Sequence, residues 1–337
     1  MKPNQNNPGA ILMKAITYTK YGSPDVLQIK DVEKPSVKDD EVLVKIHAVS
    51  LNAYDWHFLT ADIFMMRLMG VGMFKPKNTR LGADFSGRVE AVGKNVKQFK
   101  PGDEVYGDAS ASGNGAFAEY KCVTENVIAL KPVNRSFEEA AAVPMAALTS
   151  LQGLRDEGKI RAGQKVLIQG ASGGVGTYAV QLAKWFGAEV TAVCSTRNVD
   201  QARKLGADHV IDYTKEDFTQ SGKQYDLIFA ANGYHPLSAY KRALAPKGIY
   251  VMAGGTASQI FSAMLLGPWM SMTGGKKMRG VSAKPNQKDL LIMKELLESG
   301  KVIPVIDKHF LFSEAADAFR YLGEGHARGK VVITIAA

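Results

Sequence analysis

Residues 166–176 have the sequence Val166-Leu167-Ile168-Gln169-Gly170-Ala171-Ser172-Gly173-Gly174-Val175-Gly176, in which an apolar run leads into a cluster of glycines. A helical segment, Thr177–Phe186, and a second strand-like segment, Glu189–Cys194, follow it. Glycines between a strand and a helix let the backbone approach a pyrophosphate, which the amides and dipole of the helix N-terminus then stabilise. Ala171 replaces the first glycine of the usual G-x-G-x-x-G spacing, whereas Gly173 and Gly176 match it. The flanking strand and helix supply the required context, so we predict a dinucleotide-binding turn rather than a tight turn without a ligand.

Strands and helices alternate outward from this turn. The predicted strands are Val166–Gln169, Val190–Cys194, Val210–Asp212, Leu227–Ala230 and Ile249–Met252, and the helices between them include Gly176–Phe186 and Val199–Leu205. Such alternation is typical of a parallel sheet with helices on both faces. A last helix is predicted near Gln287–Ser299, before a strand-like segment at 331–335. The sequence therefore predicts an α/β fold with a doubly wound parallel sheet in its second half.

The first half of the chain has a different pattern. Short apolar runs at Glu41–Val49, Phe85–Gly93 and Gly115–Tyr120 alternate like strands and are separated by turn residues. This pattern predicts a β-rich domain. It ends near Ser136, which with Glu139 three residues later forms a capping-box pattern before an alanine-rich helix that Pro144 interrupts.

Composition limits the class of protein. The chain has 337 residues, 46% of them hydrophobic, which predicts two domains of an ordinary globular protein. Its net charge of +9 comes from scattered lysines and arginines, and no aromatic–basic motif points to nucleic acid. Two distant cysteines and a polar N-terminus without an apolar segment favour a cytoplasmic location. The longest apolar stretches, 63–74 and 260–272, are too short to span a bilayer.

The residues after the second strand predict which nicotinamide cofactor binds. An NAD site places a carboxylate there for the ribose hydroxyls, whereas a site for the 2′-phosphate of NADPH avoids the acid and offers a cation. The segment contains Ser195, Thr196 and Arg197 and no carboxylate. Hydroxyl donors and a guanidinium favour NADPH. The alternative is that Ser195 or Thr196 caps the next helix and that Arg197 is only solvated.

Several motifs, in this order, resemble the zinc-independent quinone oxidoreductases (zeta-crystallin type) of the medium-chain dehydrogenase/reductase superfamily. The resemblance covers nearly the whole chain from Met13 and includes the glycine turn. The other matching segments are Leu81–Gly87, Pro101–Val105, Gly115–Tyr120, Leu205–Asp208 and Gly329–Val332.

The resemblance implies a GroES-like β-rich domain and a Rossmann domain, with the active site in the cleft between them. The implied division is a disordered lead at 1–12, a GroES-like catalytic domain at 13–135, a Rossmann NADPH-binding domain at 136–310, and a segment at 311–337 that returns to the catalytic domain. Family members of this kind suggest a homodimer.

Metal is not expected at this site. Zinc-dependent relatives carry a cysteine at the position of Asn52 and His-Glu at the position of Ala83-Asp84, and two cysteines cannot build their four-cysteine lobe. Zinc assists alcohol oxidation by lowering the pKa of the hydroxyl, whereas a conjugated acceptor needs mainly positioning and stabilisation of an oxyanion. We therefore expect an NADPH-dependent reductase of quinones or related α,β-unsaturated carbonyls, with an enal or enoyl-thioester reductase as the alternative. The alternative from another class is a binding protein that holds NADPH, and RNA as a further ligand, with little turnover.

The resemblance also implies roles for residues far from the glycine turn. Asn52 and Asp55 would shape the nicotinamide pocket. The resemblance requires no tyrosine at position 54, so the acidity of its hydroxyl alone makes Tyr54 a candidate proton donor, with a packed aromatic residue as the alternative. The further expected cofactor contacts are Thr149, Tyr213, Asn232, Ala253, Gly254, Gly255 and Lys330, of which Lys330 has the alternative of a surface lysine.

Two methionine-rich apolar segments have no assigned role. Methionine adapts to varied shapes, so both segments are candidates for an acceptor pocket, with core packing or a dimer contact as the alternatives. The residues concerned are Met65, Met66, Met69, Met73, Met264, Trp269, Met270 and Met272.

Overall fold

A computed structural model gives the structure of residues 11–63, 67, 71–255, 265–267, 269, 271–272 and 275–335. The described residues form two compact units. The first unit comprises those of Met1–Met145, Pro285–Glu298 and Ile306–Ala337, and the second unit those of Ala146–Lys284 and Ser299–Val305. The predicted lead at 1–12 lies outside the described residues except for Ile11 and Leu12, and so do Met65, Met66, Met69, Met264 and Met270.

The elements are numbered in chain order. The strands are β1 (Leu12–Thr17), β2 (Gln28–Glu33), β3 (Glu41–Leu51), β4 (Asp84–Val92), β5 (Glu104–Asp108), β6 (Tyr120–Thr124), β7 (Ile128–Leu130), β8 (Lys165–Gln169), β9 (Glu189–Cys194), β10 (His209–Asp212), β11 (Tyr225–Ala230), β12 (Leu244–Met252), β13 (Lys277–Gly280), β14 (Ile306–Leu311) and β15 (Lys330–Thr334). The α-helices are α1 (Ala53–Thr60), α2 (Phe137–Ala141), α3 (Pro144–Gln152), α4 (Gly174–Trp185), α5 (Val199–Lys204), α6 (Leu237–Ala243), α7 (Gln287–Glu298) and α8 (Ala315–Gly323).

The second unit contains a parallel sheet in the order β10-β9-β8-β11-β12-β13. Most residues of the central strands β9, β8 and β11 are apolar and buried, because helices cover both faces of such a sheet. All five strands predicted here are present, and the predicted doubly wound architecture is confirmed. The edge strand β13 was not predicted, since the short, charged segment Lys277–Gly280 lacks the apolar run of a buried strand.

The first unit contains a mixed sheet in the order β14-β15-β3-β4-β5-β7, with β6 also paired to β3, and a hairpin of β1 and β2. Strand β15 lies antiparallel to β3, with Val331 opposite Leu51. Strand β4 lies on the other side of β3, with Asp84 opposite Ser50. The register therefore brings residues 50–52, 84 and 330 to one end of three adjacent strands.

The strand predicted at Gly115–Tyr120 is wrong, because β6 begins only at Tyr120. Asn114 and Gly115 have φ angles of 56° and 95°, which a regular strand does not accommodate. The backbone groups of this loop pair irregularly instead, as in the hydrogen bonds from Phe117 N to Leu81 O and from Ile46 N to Glu119 O.

The capping box at Ser136 is confirmed. Ser136 Oγ accepts from Glu139 N at 3.2 Å, and Glu139 Oε2 accepts from Ser136 N at 2.9 Å. Helix α2 follows, and α3 begins at Pro144 as the proline predicts.

The division into units differs from the sequence-based boundaries at 135/136 and 310/311. Helix α7 belongs to the first unit, where its Leu290 O accepts from Tyr106 Oη at 2.6 Å. The segment Ser299–Val305 belongs to the second unit, where the amide side chain of Gln181 pairs with both backbone groups of Ile303. Within the described part of the chain, none of the helices has the length and apolar character needed to cross a membrane.

Candidate active site

The glycine turn joins β8 to α4 in the second unit. Gly170 has a φ of +75°, and a Cβ on Gly176 would lie 2.0 Å from Gly170 O, so both positions require glycine. Gly173 occupies the N-cap position of α4 and has no side chain with which to cap the helix. A Cβ there would meet nothing closer than 3.7 Å. The first amides of α4 are therefore left for an anion, which is the arrangement a pyrophosphate site needs.

Small side chains and loops surround this turn at the carboxyl ends of the parallel strands. A Cβ on Gly170 would lie 3.0 Å from Asn232 N, and Gly254 O accepts from Gly233 N at 3.0 Å. Tyr213 and Asn232 are exposed after β10 and β11, and Ala253, Gly254 and Gly255 follow β12. These predicted cofactor residues thus lie at one edge of the sheet, where ligands of such folds are expected.

Helix α3 contacts the same turn through a residue that sequence analysis missed. Ser150 Oγ donates to Val175 O at 2.8 Å and to Ala146 O at 2.9 Å. The bond to Val175 O fixes α3 against the start of α4, and the neighbouring half-buried residue is Thr149. A single serine in an apolar helix carries no sequence signal for such a contact.

The end of β9 carries the groups expected for the 2′-phosphate. Neither Ser195 nor Asn198 makes a side-chain cap bond to the turn or helix that follows, so the capping alternative is wrong for Ser195. Ser195 Oγ and Ser172 Oγ instead accept from Asn198 Nδ2 at 3.1 and 3.0 Å. Arg197 is exposed beside them.

A carboxylate lies close to this edge, although the segment after β9 contains none. Asp212, at the end of β10, accepts from Thr196 Oγ1 at 2.5 Å and from Thr214 N at 3.0 Å. The hydrogen bond from Thr196 holds the pKa of Asp212 down at about 2, so the group stays ionised at neutral pH. The hydroxyl proton of Thr196 is therefore directed to Asp212 rather than outward. Sequence analysis missed this pairing because it joins two adjacent strands.

The first unit contains a buried polar cluster around Asn52. Lys330 Nζ donates to Asn52 Oδ1 at 2.5 Å and to Asp84 Oδ2 at 3.3 Å. Asn52 Nδ2 donates to Asp84 Oδ2 at 2.9 Å. Asp84 accepts two further hydrogen bonds, from Ser50 Oγ to Oδ2 at 3.2 Å and from Met145 N to Oδ1 at 2.8 Å. Lys330 is only 2% exposed, so the alternative of a surface lysine is wrong.

Asp55 lies next to this cluster and holds the start of α1. Its carboxylate accepts from Asn52 N at 2.9 Å and from Gly82 N at 3.2 Å. Burial raises the pKa of Asp55 to about 7, against the lowering effect of the Asn52 amide. Burial and the charge of Asp84 likewise raise the pKa of Asp108 to about 6. The site therefore contains carboxyl groups that titrate near neutrality.

Tyr54 is half-buried on α1, with its ring against Phe58 at a centroid distance of 4.4 Å. Its hydroxyl donates to Asn114 Oδ1 at 3.3 Å. Burial raises the pKa of Tyr54 to about 12, although the bond to Asn114 opposes the rise. A weaker acid is a poorer proton donor at neutral pH, so these contacts favour the packed-aromatic alternative.

Comparisons with known proteins match both halves of the chain. The family model described as "Alcohol dehydrogenase GroES-like domain" matches residues 38–133, and that described as "Zinc-binding dehydrogenase" matches residues 205–333. A 2-methylene-furan-3-one reductase of Solanum lycopersicum is 39% identical over 95% of this chain and 79% of its own length. An NADPH-dependent alkenal/one oxidoreductase, chloroplastic, of Arabidopsis thaliana is 36% identical over 95% of this chain and 79% of its own.

A solved structure, the quinone oxidoreductase from Coxiella burnetii, is 30% identical, with a TM-score of 0.85 over 97% of this chain and all of its own. The chain belongs to the quinone oxidoreductase family of the medium-chain dehydrogenase/reductase superfamily. The resemblance inferred from the sequence motifs is thereby confirmed, as are the GroES-like and Rossmann parts of the fold.

The name of one matching model implies zinc, but the side chains of this quinone oxidoreductase family member do not fit it. Alanine at position 83 cannot be a ligand, and Asn52 Oδ1 and Asp84 Oδ2 both contact the Lys330 ammonium. A lysine ammonium at that place repels a dication. In the described ranges, no group of three or more His, Cys, Asp or Glu residues is arranged to hold a metal.

Proposed function

We propose that this chain is an NADPH-dependent, zinc-independent reductase that transfers hydride to quinones or related α,β-unsaturated carbonyls. The observation that carries the proposal is the buried cluster at Asn52, in which an ammonium and amide donors occupy the place of a metal. Such a site lacks the usual means of deprotonating an alcohol but suits an acceptor that needs positioning and oxyanion stabilisation. The names of the tomato, Arabidopsis and Coxiella relatives, which refer to an enone, alkenals and quinones, support the same class.

NADPH fits the residues of the second unit. A Cβ on Gly173 would meet nothing closer than 3.7 Å, so this N-cap residue leaves space in front of α4 for the pyrophosphate. Ser195 and Arg197 would donate to the 2′-phosphate, whereas the Thr196 proton is directed to Asp212. The remaining contacts to the cofactor would come from Thr149, Tyr213, Asn232 and residues 253–255. When bound, NADPH supplies the hydride.

The remaining predicted roles belong to the first unit. Asp55 would fix the α1 end of the nicotinamide pocket through its two backbone hydrogen bonds. Lys330 was expected to contact the cofactor directly. Its two bonds and its burial instead support a role through Asn52. Tyr54 stays a candidate proton donor, opposed by its raised pKa.

The test is NADPH oxidation, followed by absorbance, with quinones, short and long enals, enones and an enoyl thioester as acceptors and with NADH in parallel. Turnover of quinones or enones that prefers NADPH supports the proposal. Turnover restricted to enals or thioesters would identify the chain as a member of the alternative class, an enal or enoyl-thioester reductase. Tight NADPH binding with no turnover on any acceptor contradicts the reductase and leaves the binding protein.

We also propose that the chain forms a homodimer through the second unit. Strand β13 lies at the edge of the sheet, and an edge strand offers backbone groups to another chain. Leu265, Trp269 and Met272 are 61, 69 and 82% exposed shortly before it, and apolar residues exposed to this degree indicate a partner. Light scattering should give twice the chain mass, and Trp269→Glu should give a monomer. Phe74→Glu, which changes a still more exposed aromatic residue of the first unit, is the control; a monomeric wild type contradicts the proposal.

A cytoplasmic location is the last part of the proposal. Both cysteines, Cys122 and Cys194, are free thiols, which suits a reducing compartment. The Arabidopsis relative is described as chloroplastic, so the compartment needs a direct test. Cell fractionation with an antibody to the chain should place it with cytosolic markers, and enrichment in an organelle contradicts this location.

A further inference from the structure

The cluster in the first unit fixes the amide of Asn52 in one orientation. Its Oδ1 faces the Lys330 ammonium, which has only donors, and its Nδ2 faces the Asp84 carboxylate, which accepts. Turning the amide over would place the amine against an ammonium and the oxygen against a carboxylate. Two charged neighbours of opposite sign therefore determine which way the amide points.

Of these three side chains, Asn52 keeps the largest accessible fraction. Asp84 is 0% exposed and Lys330 is 2% exposed, whereas Asn52 is 9% exposed. Asp84 accepts hydrogen bonds at both carboxylate oxygens, and Lys330 Nζ uses two of its three hydrogens on Asn52 and Asp84. Asn52 Nδ2 has two hydrogens, and one of them goes to Asp84. The second hydrogen makes no bond to any residue that the structure describes, so the least buried of the three side chains has a donor left for a ligand.

A cation that contacts the oxygen of an amide makes the N–H groups of that amide stronger hydrogen-bond donors. The contact from Lys330 Nζ to Asn52 Oδ1 draws electron density towards oxygen, and hydrogen bonds in such a chain reinforce one another. The donor is also preorganised, because Asp84 is held by four hydrogen bonds from Ser50, Asn52, Met145 and Lys330. Preorganised donors in a buried site stabilise developing negative charge far better than water does.

We propose that Asn52 is the oxyanion donor of this site and that Asp84 and Lys330 are its positioning residues. The inference rests on the proposed function. Addition of hydride to the β-carbon of an enone moves the π electrons of the C=C bond towards the carbonyl and leaves an enolate oxygen. The second Nδ2 hydrogen of Asn52 binds that oxygen, and a proton from solvent then completes the α-carbon. In a quinone, the same donor binds the oxygen that becomes a phenolate.

The first variant to test is Asn52→Ser. Serine is a favoured residue at a helix N-cap, so it preserves the start of α1 while removing the amide donor. We expect kcat to fall about 100-fold, as for loss of one oxyanion donor, with the Kd for NADPH unchanged within about threefold by fluorescence titration. A fall in kcat of less than threefold overturns the donor role of Asn52.

The positioning role is tested with Asp84→Asn, Lys330→Met and the double variant. Each single change leaves an unpaired buried charge and should lower both the melting temperature and kcat. The double change removes both charges, so the melting temperature should largely recover. We expect kcat to stay at least about tenfold below wild type, because the Asn52 amide is no longer fixed.

Recovery of kcat together with the melting temperature would show that the pair is only structural, and this part of the proposal would fail. If all three variants are unfolded, Asn52→Ser and its Kd for NADPH still decide the donor role. Failure of the proposed function is a separate result, since it appears as a wild-type protein without turnover on any quinone or enone, and the inference then fails with it.

Discussion

The glycine turn of the second unit and the Asn52 cluster of the first unit are suited to stabilising negative charge in different ways. The turn offers backbone amides and open space, and its glycines are needed because side chains would intrude. The Asn52 cluster is built from side chains that are almost fully buried, with charges that satisfy one another. The first arrangement suits a ligand that arrives with its own charge. The second suits a charge that exists only during the reaction, which must be met by a donor already in place.

The largest expected effect separates the two glycines of the turn. A Cβ at Gly176 would lie 2.0 Å from Gly170 O, so Gly176→Ala should lower the free energy of unfolding by about 3 kcal/mol and abolish NADPH binding. Urea unfolding and fluorescence titration measure both. Gly173→Ala is the matched control, since its Cβ meets nothing within 3.6 Å. It should change stability by no more than about 1 kcal/mol yet weaken NADPH binding at least tenfold. Unchanged affinity in Gly173→Ala would show that the pyrophosphate does not lie there.

The next effect concerns the choice of cofactor at the exposed end of β9. Arg197→Glu should weaken NADPH binding by about 100-fold and leave NADH binding nearly unchanged, because a charge-assisted bond to the 2′-phosphate is replaced by repulsion. Titration with both cofactors gives the ratio. Arg203→Glu, with the same change of charge on exposed α5, should alter the ratio by less than threefold. If both variants change the ratio of the two affinities equally, Arg197 acts only through its charge and makes no specific contact with the 2′-phosphate.

A smaller effect should distinguish the buried site by its pH dependence. Asp55 faces Asn52, Asp84 and Lys330, and its pKa is raised to about 7. Between about pH 4 and 7 the folded state holds a proton that the unfolded state has lost, so stability falls as the pH rises, by about 1 kcal/mol per pH unit. The effect is absent below about pH 4 and complete above about pH 7. Asp108, with its pKa raised to about 6, contributes in the same direction.

Urea unfolding at several pH values measures this slope. Asp55→Asn should flatten it, whereas Asp226→Asn, a change at a half-buried carboxylate of the second unit that accepts from Lys165 N, should not. A wild-type stability that rises with pH over this range would show that Asp55 is ionised throughout.

The smallest effect is expected at Tyr54. Its hydroxyl donates to Asn114, and its raised pKa of about 12 makes it a weak acid. Tyr54→Phe should therefore lower kcat less than about tenfold, whereas loss of a general acid costs about 100-fold or more. Asn114→Ala tests the same contact from the other side. A drop of 100-fold in Tyr54→Phe alone would identify Tyr54 as the proton donor.

Part of the candidate site was predictable because it is local in the sequence. The glycine spacing, the strand before it and the helix after it lie within a few turns of chain, and each has its own signature. The Asn52 cluster joins residues 52, 84 and 330, and only the register of β3, β4 and β15 brings them together. The sequence placed Asp84 in a family motif and Lys330 near the cofactor, but nothing in it indicated that they share a hydrogen-bonding partner. Asp212 was missed for the same reason, because it reaches Thr196 across two paired strands.

The sequence by itself determined the alternation of strands and helices, the nucleotide-binding turn, and the family, because these depend on local periodicity and on short motifs in fixed order. The tertiary structure alone decided which polar groups satisfy each other. It placed Lys330, a surface lysine in one alternative, in a buried contact with Asn52, and it directed the Thr196 hydroxyl to Asp212. The physical reason is that burial forces every charge to find a partner, and the partner is set by strand pairing rather than by distance along the chain.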